Sequence, residues 1–367
     1  MKLRYKILGS LLVLIVVGLT ALAVAISYTS GCESAPELNL EGGSMQAVVY
    51  RCYGSPDVLE LEEVEKPVPG DDEILVKVHA AGVNPLDWHY MRGSPYIMRL
   101  GTGLGKPKDI RLGRDFSGKV EAVGKSVTRF KAGDSVFGGA AGAFAEYVVV
   151  REDRALAHMP QNLMFEQAAS VPVAAITALQ ALRDHGKVKT GQKVLINGAS
   201  GGVGTFAVQI AKSLGAEVTG VCSTRNLEMV KSIGADHVID YKNEDYTQSA
   251  QTFDVIIDMV GNHSLLKNRK VLSPEGIMVL VGGSKGDWIG PLSKPIGAIL
   301  ISPFVDQQIK SFVATLKQED LVFLAELLAS GEMTPVLDRL FELNEVPDAV
   351  RYSESGRARG KIVISFD

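Results

Sequence analysis

The sequence predicts an α/β fold, in which a doubly wound parallel sheet is joined to a smaller β-barrel-like domain and preceded by an apolar N-terminal helix. Three observations indicate this fold. Between about residues 166 and 333, apolar strand-like runs alternate with helical patterns, which is typical of a parallel sheet covered on both faces. In residues 45–165, short β-prone runs between glycine and proline turns favour a small barrel. Residues 7–26 form an uncharged apolar run ahead of both.

The apolar run Lys193–Asn197 is followed at once by a glycine-rich turn and then by a helical pattern that stops at Gly215. Glycines lack a Cβ, so the backbone can approach a pyrophosphate, and the free N–H groups at the start of the helix point at the anion. The pattern predicts a dinucleotide-binding turn, and an ordinary tight strand–helix turn is the alternative. The predicted contacts are Gly198, Ala199, Ser200, Gly201, Gly202, Val203 and Gly204.

Composition excludes several classes of protein. The formal net charge of −4 offers no basic surface for nucleic acid, and 367 residues with 46% hydrophobic content are enough for two domains with real cores. The three cysteines, Cys32, Cys52 and Cys222, form no Cys-x-x-Cys pair and no Cys/His cluster. We therefore expect neither a disulfide scaffold nor a structural zinc site.

The N-terminal sequence predicts a membrane anchor. Lys2, Arg4 and Lys6 precede the apolar residues 7–26, whose 20 residues would span about 30 Å as a helix, the thickness of a bilayer core. An uncleaved signal anchor is predicted; a lipoprotein signal ending at Cys32 and a simple cleaved signal are the alternatives. Residues 33–44 are polar and read as a flexible tether.

Orientation raises a conflict. Basic residues lie before the apolar run and Glu33, Glu37 and Glu41 lie after it, so the body of the protein should face away from the cytoplasm. A reduced nicotinamide cofactor is scarce there. A cytoplasmic form starting at Met45 would remove the conflict.

In the first segment, β-prone runs cover residues 45–49, 74–80, 117–123, 135–137 and 145–150. Distinctive motifs lie between and beyond them. They are Gly54-Ser55-Pro56-Asp57-Val58-Leu59, Ala81-Gly82-Val83-Asn84-Pro85-Leu86-Asp87, Gly113-Arg114-Asp115-Phe116-Ser117-Gly118-Lys119-Val120, Phe130-Lys131-Ala132-Gly133-Asp134-Ser135-Val136, the glycine-rich turn, and Ala358-Arg359-Gly360-Lys361-Ile362-Val363.

With these motifs, residues 45–367 resemble the medium-chain dehydrogenase/reductase superfamily, and specifically its zinc-free, quinone oxidoreductase-like branch. The resemblance implies a GroES-like catalytic domain, residues 45–165 plus 334–367, wrapped around an inserted Rossmann domain, residues 166–333. The superfamily's zinc-dependent alcohol dehydrogenases place a cysteine where Asn84 stands and a histidine where Arg114 stands. An amide is a poor zinc ligand and a guanidinium has no lone pair to offer, so no metal is expected.

The candidate catalytic residues lie in the segment Asn84-Pro85-Leu86-Asp87-Trp88-His89-Tyr90. The resemblance implies that Asn84 and Asp87 lie near the nicotinamide. A phenol O–H can donate to an oxygen that gains negative charge, which makes Tyr90 the candidate donor. In the alternative, Asp87 only caps a local turn and Tyr90 only packs. Residues 93–108 look like a mobile, partly apolar substrate loop.

Cofactor choice is predicted from the end of the second strand of the parallel sheet, Glu217–Cys222. Residues 222–226 contain no acid to bind a ribose 2′-hydroxyl, whereas Ser223 and Arg225 suit a 2′-phosphate, so NADPH is predicted over NADH. The resemblance adds Thr177, on a helix over residues 172–182, and Tyr241. Because ligands bind at the carboxyl ends of parallel strands, Gly282 and Gly283 should face the nicotinamide.

The remaining elements complete the sheet. Residues 286–304 read as an irregular insertion, residues 309–313 as an edge strand that makes a homodimer plausible, and residues 318–330 as an amphipathic helix. Residues 334–367 should return to the first domain as a strand, a helix and a strand.

These features predict a zinc-independent, NADPH-dependent oxidoreductase that transfers a hydride to a quinone or an α,β-unsaturated carbonyl compound. The alternatives are reversible alcohol/carbonyl oxidoreduction and a membrane-tethered NADPH-binding protein without useful turnover.

Overall fold

A computed structural model describes residues 2–34, 43–283, 286–288, 290–302 and 305–366. The chain begins with helix α1, Lys2–Ser27. In α1 the side chains of Ser10 and of residues 13–27 are described, and most of the apolar ones among them face solvent. Within the described part of the chain, no helix combines the length and the apolar character needed to cross a membrane.

The N-terminal part of the body, together with two C-terminal strands, forms a two-stranded sheet and a larger, mainly antiparallel sheet. The smaller sheet pairs β1 with β2, which are Ser44–Val49 and Glu60–Glu65. The larger sheet has the order β14-β15-β3-β4-β5-β7, with β6 also paired to β3. Its strands are β3 Glu73–Val83, β4 Asp115–Val123, β5 Ser135–Gly139, β6 Tyr147–Arg151, β7 Leu156–His158, β14 Leu337–Glu342 and β15 Lys361–Ser365.

The second half contains a six-stranded parallel sheet with the order β10-β9-β8-β11-β12-β13. Buried apolar runs such as Val194-Leu195-Ile196 form its centre, because both faces of the sheet are covered by helices. Its strands are β8 Lys193–Asn197, β9 Glu217–Cys222, β10 His237–Asp240, β11 Phe253–Asp258, β12 Leu272–Leu280 and β13 Gln308–Ser311.

Helices connect these strands. They are α2 Pro85–Arg92, α3 Arg99–Thr102, α4 Phe165–Ala169, α5 Pro172–Leu179 (followed by a π-helical turn), α6 Gly202–Ser213, α7 Leu227–Ser232, α8 Leu265–Lys270, α9 Gly290–Ile301, α10 Gln318–Ala329 and α11 Val346–Glu354. The C-terminal strand–helix–strand returns to the first sheet, where β15 pairs antiparallel with β3. The domain boundaries near residues 165 and 333 stay predictions.

Three expectations need correction. The insertion over residues 286–304 is not irregular throughout, because Gly290–Ile301 forms α9 with Pro295 inside it. Strand β2 was not expected, since its sequence is rich in glutamate; it forms because pairing with β1 supplies the backbone hydrogen bonds. Residues 284, 285, 289, 303 and 304 of the insertion lie outside the described residues.

The cysteines give the third correction. Cys32 and Cys52 are joined as a disulfide, with their Cα atoms 4.7 Å apart, although the cysteine spacing gave no reason to expect a bond. Twenty positions separate the two residues, and only the folded chain brings them together. Cys222 is buried and free.

Candidate active site

The glycine-rich turn after β8 is closed by direct backbone contact. A Cβ built on Gly204 would lie 2.0 Å from the carbonyl oxygen of Gly198, so no other residue fits there. Gly198 has φ of +94°, in the left-handed region that favours glycine. Helix α6 then starts at Gly202 with Gly201 as N-cap and no side-chain cap, which leaves its first N–H groups available to a ligand.

A cavity of about 840 Å³ opens beside this turn. It is lined from three parts of the chain: the glycine turn, the ends of β9 and β11, and the C-terminal segment before and into β15. Val83, Asn84 and Pro85 form a further wall. The cavity therefore lies where the two large sheets meet, the usual place for a ligand site between domains.

Two hydrogen bonds tie the walls of the cavity together. The N–H of Gly360 donates to the carbonyl of Ser200 at 2.9 Å, and Arg225 Nη2 donates to the carbonyl of Arg357 at 2.8 Å. The glycine turn and the C-terminal segment are thus held against each other although 160 residues separate them.

The charge of the cavity has one sign. Among the described residues, its lining includes Arg225, Lys242, Arg357 and Lys361 and no carboxylate. Asp240, at the end of β10, is engaged elsewhere: it accepts from Thr224 Oγ1 at 2.6 Å and from Asn243 Nδ2 at 2.8 Å. Such a cavity suits a ligand that carries several negative charges.

A buried polar network supports the wall that contains Asn84. Lys361 Nζ donates to Asn84 Oδ1 at 2.6 Å and to the carbonyl of Val83 at 3.1 Å. Asn84 Nδ2 donates to Asp115 Oδ2 at 3.0 Å, and Lys361 Nζ lies 3.7 Å from the same oxygen. Asp115 Oδ1 accepts from the N–H of Val173 at 3.0 Å. The Asn84 side chain is therefore fixed from both ends.

Asp87 lies behind this network. Its Oδ2 accepts from the N–H of Asn84 at 2.7 Å, which caps the start of α2, and its Oδ1 is buried without a hydrogen-bond partner among the described residues. Burial raises the pKa of Asp87 to about 7, and the neighbouring carboxylate of Asp115 adds to the rise.

The three predicted catalytic residues thus occupy different places. Asn84 lines the cavity, whereas Asp87 and Tyr90 are not among its lining residues. Tyr90 packs against the core of the first sheet, with the guanidinium of Arg114 over its ring at 5.3 Å. The capping and packing alternatives describe the observed contacts of Asp87 and Tyr90.

Most of the predicted cofactor residues meet at the cavity. Its lining includes Gly198, Ser200, Gly201, Gly202, Val203, Gly204, Ser223, Arg225 and Tyr241. Four predicted residues do not line it. Ala199 is fully buried beneath the turn, and Thr177 Oγ1 donates to the carbonyl of Val173 at 2.7 Å. Gly282 packs against the backbone of Met259, and neither it nor Gly283 reaches the cavity.

Sequence reasoning missed part of the lining. Asn226 and Lys242 also line the cavity, and residues 356–358 and 360–362 form one of its walls. At the end of β8, Asn197 Nδ2 donates to Asp258 Oδ1 and to Asn262 Oδ1, each at 2.8 Å. The motif Ala358-Arg359-Gly360-Lys361 was visible in the sequence, but its place beside the glycine turn depends on the tertiary fold.

The residues present fit a dinucleotide. The turn offers close approach and free N–H groups, the walls offer cations, and the buried Asn226 Oδ1 has no partner among the described residues. In the described part of the chain, no group of three or more His, Cys, Asp or Glu residues is arranged to hold a metal ion.

A parallel sheet with a glycine turn, packed against a mainly antiparallel domain across a cationic cleft, defines the class of two-domain, nicotinamide-dinucleotide-binding proteins. Comparisons with known proteins agree. A family model for the alcohol dehydrogenase GroES-like domain matches residues 70–161, and one described as zinc-binding dehydrogenase matches residues 233–364.

Relatives cover nearly the whole chain. The mitochondrial NAD(P)H oxidoreductase RTN4IP1 of Bos taurus is 35% identical over 358 residues, 88% of this chain and 89% of the relative. The 2-methylene-furan-3-one reductase of Solanum lycopersicum is 34% identical, over 93% of this chain and 84% of the relative. This chain belongs to the medium-chain dehydrogenase/reductase superfamily, in its quinone oxidoreductase-like branch.

Solved structures agree with that assignment. The quinone oxidoreductase of Coxiella burnetii superposes with a TM-score of 0.78 at 32% identity, covering 88% of this chain and all of the other. The Escherichia coli quinone oxidoreductase complexed with NADPH gives a TM-score of 0.75 at 26% identity, covering 87% and 99%.

Proposed function

We propose that this protein is a zinc-independent, NADPH-dependent reductase of quinones or α,β-unsaturated carbonyl compounds. The observation that carries the proposal is the cationic cavity beside the glycine turn, which contains four basic and no acidic lining side chains among the described residues. Relatives named as quinone oxidoreductases and as a furanone reductase support the acceptor class.

The preference for NADPH rests on one corner of the cavity. Ser223, Arg225 and Lys242 line it at the ends of β9 and β10, where an NAD-selective protein places an acid. A 2′-phosphate there would accept hydrogen bonds from a guanidinium and an ammonium, and charge-assisted bonds of this kind are strong.

Arg225→Ala tests this corner. Each lost charge-assisted bond is worth about 1.5–3 kcal/mol, so the Kd for NADPH should rise by about tenfold or more while that for NADH changes little. Fluorescence titration of the reduced cofactor measures both constants. Arg154→Ala, which removes an exposed arginine outside the cavity, is the matched control. An equal weakening of both cofactors would refute the NADPH assignment.

When bound, the nicotinamide supplies the hydride that reduces the acceptor. The protein positions the reactants. Asn84, fixed by Lys361 and Asp115, forms a rigid polar wall of the cleft. The cations around Asn84 stabilise an acceptor oxygen that gains negative charge. In this proposal Asp87 and Tyr90 support that wall from behind.

Zinc independence rests on the same wall. The Lys361 ammonium is hydrogen-bonded to Asn84 and would repel a divalent cation, and Arg114 lies over the Tyr90 ring. Exhaustive chelation should leave reductase activity unchanged, and a loss restored by added zinc would contradict the proposal.

We also propose that residues 7–26 anchor the protein in a membrane with the body on the non-cytoplasmic side. The sequence supplies the 20-residue apolar run, part of whose side chains lie outside those described, and the basic residues before it supply the orientation. The Cys32–Cys52 disulfide supports this side, because disulfides persist in oxidising compartments. The Cys32 sulfur that is bonded to Cys52 cannot also carry a lipid, so the disulfide is incompatible with lipidation of Cys32.

Peptide mass analysis of the membrane-extracted protein without reduction tests this placement. A linked Cys32–Cys52 peptide is expected, and a free or lipid-modified Cys32 would contradict the placement. Association of two copies through the edge strand β13 remains a proposal, and the mass of the detergent-solubilised protein would decide it.

A further inference from the structure

A buried arginine holds the end of α1. Arg99 is 3% exposed, and its Nη1 donates to the carbonyls of Ile26, Ser27 and Tyr28 at 3.2, 3.1 and 2.8 Å. The carbonyls of Ile26 and Ser27 belong to the last turn of the helix, where carbonyls have no intrahelical partner, and Tyr28 follows directly. A cation at the C-terminus of a helix also interacts favourably with its dipole.

Arg99 itself is fixed in place. Its guanidinium lies over the rings of Tyr53 and Tyr96, at 4.4 and 4.7 Å from their centroids, and its Nε donates to the carbonyl of Gly93 at 2.8 Å. Further along, the N–H of Ser30 donates to the carbonyl of Gly105 at 2.9 Å. The end of α1 is therefore held against the loop over residues 93–108.

Four apolar side chains of this junction are exposed. Tyr28, Ile97, Leu100 and Leu104 are between 45% and 62% exposed, and we call these four residues the collar. Tyr28 lies against Gly105, and its N–H donates to the carbonyl of Val24 at 2.9 Å, so the collar follows the exposed apolar residues of α1 between Val13 and Val24. Contiguous exposed apolar surface of this kind marks an interaction site.

We propose that the collar is a bilayer-contact surface that holds the loop over residues 93–108 against the membrane, so that the acceptor is a lipid-soluble quinone. We infer a bilayer as the occupant because the collar continues the surface of α1, and α1 contains the uncharged apolar run over residues 7–26 that we propose as the membrane anchor. Aromatic and aliphatic side chains at the end of such a helix are those that occupy the membrane–water interface.

The collar is close to the proposed site. Asn84, which lines the cavity, caps the start of α2, and the eight residues of α2 span about 12 Å to Gly93, where the loop begins. The loop also touches the segment after β12: Tyr96 N–H donates to the carbonyl of Asp287 at 2.7 Å, and the Tyr96 and Trp288 rings pack edge to face. The cleft would thus open near the lipid surface, where a quinone with an apolar tail is concentrated.

The first test places the collar relative to lipid. The full chain carrying Leu100→Cys is labelled with an environment-sensitive fluorophore and reconstituted in phosphatidylcholine vesicles that contain nitroxide-labelled lipid. The native cysteines do not compete, since two are in a disulfide and Cys222 is buried. Val322→Cys, an exposed position on α10, is the matched control. Quenching at position 100 with none at position 322 is expected. Absence of quenching at both positions overturns the proposal. So does a label at position 100 whose fluorescence changes only when acceptor is added, because that result would indicate a lid over the cleft.

The second test uses turnover and rests on the proposed function. Leu100→Glu should lower kcat/KM for a decyl-tailed benzoquinone in vesicles by about tenfold, since the effective concentration of a bilayer-dissolved acceptor falls. The kcat/KM of Leu100→Glu for a tail-less benzoquinone in detergent should change by less than about twofold. With Val322→Glu, the kcat/KM for both acceptors should also change by less than about twofold. Equal loss with both quinones overturns the inference. Failure of the wild-type protein to reduce the tail-less quinone would instead refute the proposed function.

Discussion

Replacing Gly204 by alanine tests the geometry of the glycine-rich turn. The new Cβ would lie 2.0 Å from the carbonyl oxygen of Gly198, and also 2.8 Å from the carbonyl carbon of Ala199. Since Cβ atoms do not approach heavy atoms within 3.0 Å, the turn must open by at least the difference, 1.0 Å. Overpacking of this kind costs about 1–3 kcal/mol of folding stability.

The same opening moves the N–H groups at the start of α6 away from a bound pyrophosphate. A hydrogen bond to a charged group is worth about 1.5–3 kcal/mol, so the loss of one such bond should raise the Kd for NADPH by about tenfold or more. Thermal unfolding without cofactor and fluorescence titration with cofactor measure the two effects separately.

Gly201→Ala is the matched control for the internal clash. Its Cβ would meet only the Gly198 carbonyl oxygen, at 3.5 Å, and the φ of Gly201 is −84°, which alanine adopts freely. Its stability should stay within about 0.5 kcal/mol of the parent. If Gly204→Ala retains both its stability and its affinity for NADPH, the turn is not closed as described and the reasoning fails.

Two further predictions concern the buried network. Because the pKa of Asp87 lies near 7 in the folded protein and near 3.8 in the unfolded chain, the folded state binds more protons between these values, and its stability falls as pH rises through that window. Asp87→Asn keeps the hydrogen bond to the N–H of Asn84 but removes the titrating group. Between pH 5.5 and 7, the free energy of unfolding in urea should therefore fall by about 2 kcal/mol more for the parent than for this variant. Equal pH dependence of the two proteins would contradict the raised pKa. Lys361→Met removes the ammonium beside the buried Asp115, and a loss of about 3–5 kcal/mol is expected, whereas a loss below about 1 kcal/mol would show that the carboxyl is neutral.

The sequence predicted the centre of the parallel sheet to the residue. Strands β8 and β9 have the predicted bounds, because a strand buried on both faces is a short apolar run with sharp polar ends. Helix α9 was not predicted, because its glycines and prolines suggested a loop. In the folded chain its apolar side chains pack, and Lys294 contacts Asp258 at 3.1 Å. Tertiary contacts of this kind leave no local pattern.

In the candidate site too, residues in a local motif could be predicted and residues placed by tertiary contacts could not. The glycine turn, Ser223 and Arg225 were predicted because one local motif and the residue types beside it specify a phosphate site. Lys361 and residues 356–362 were not, because they reach the cavity only when β15 pairs with β3. The collar was missed for a similar reason: Arg99 finds the end of α1 across more than 70 residues.

The most direct test of the central claim is single-turnover oxidation of bound NADPH by a panel of quinones and α,β-unsaturated carbonyl compounds, with NADH in parallel. The full chain in detergent should oxidise NADPH only when an acceptor is present, faster than NADH, and without added zinc. Tight binding of NADPH with no acceptor-dependent oxidation across the panel would contradict the account and leave a cofactor-binding protein in its place.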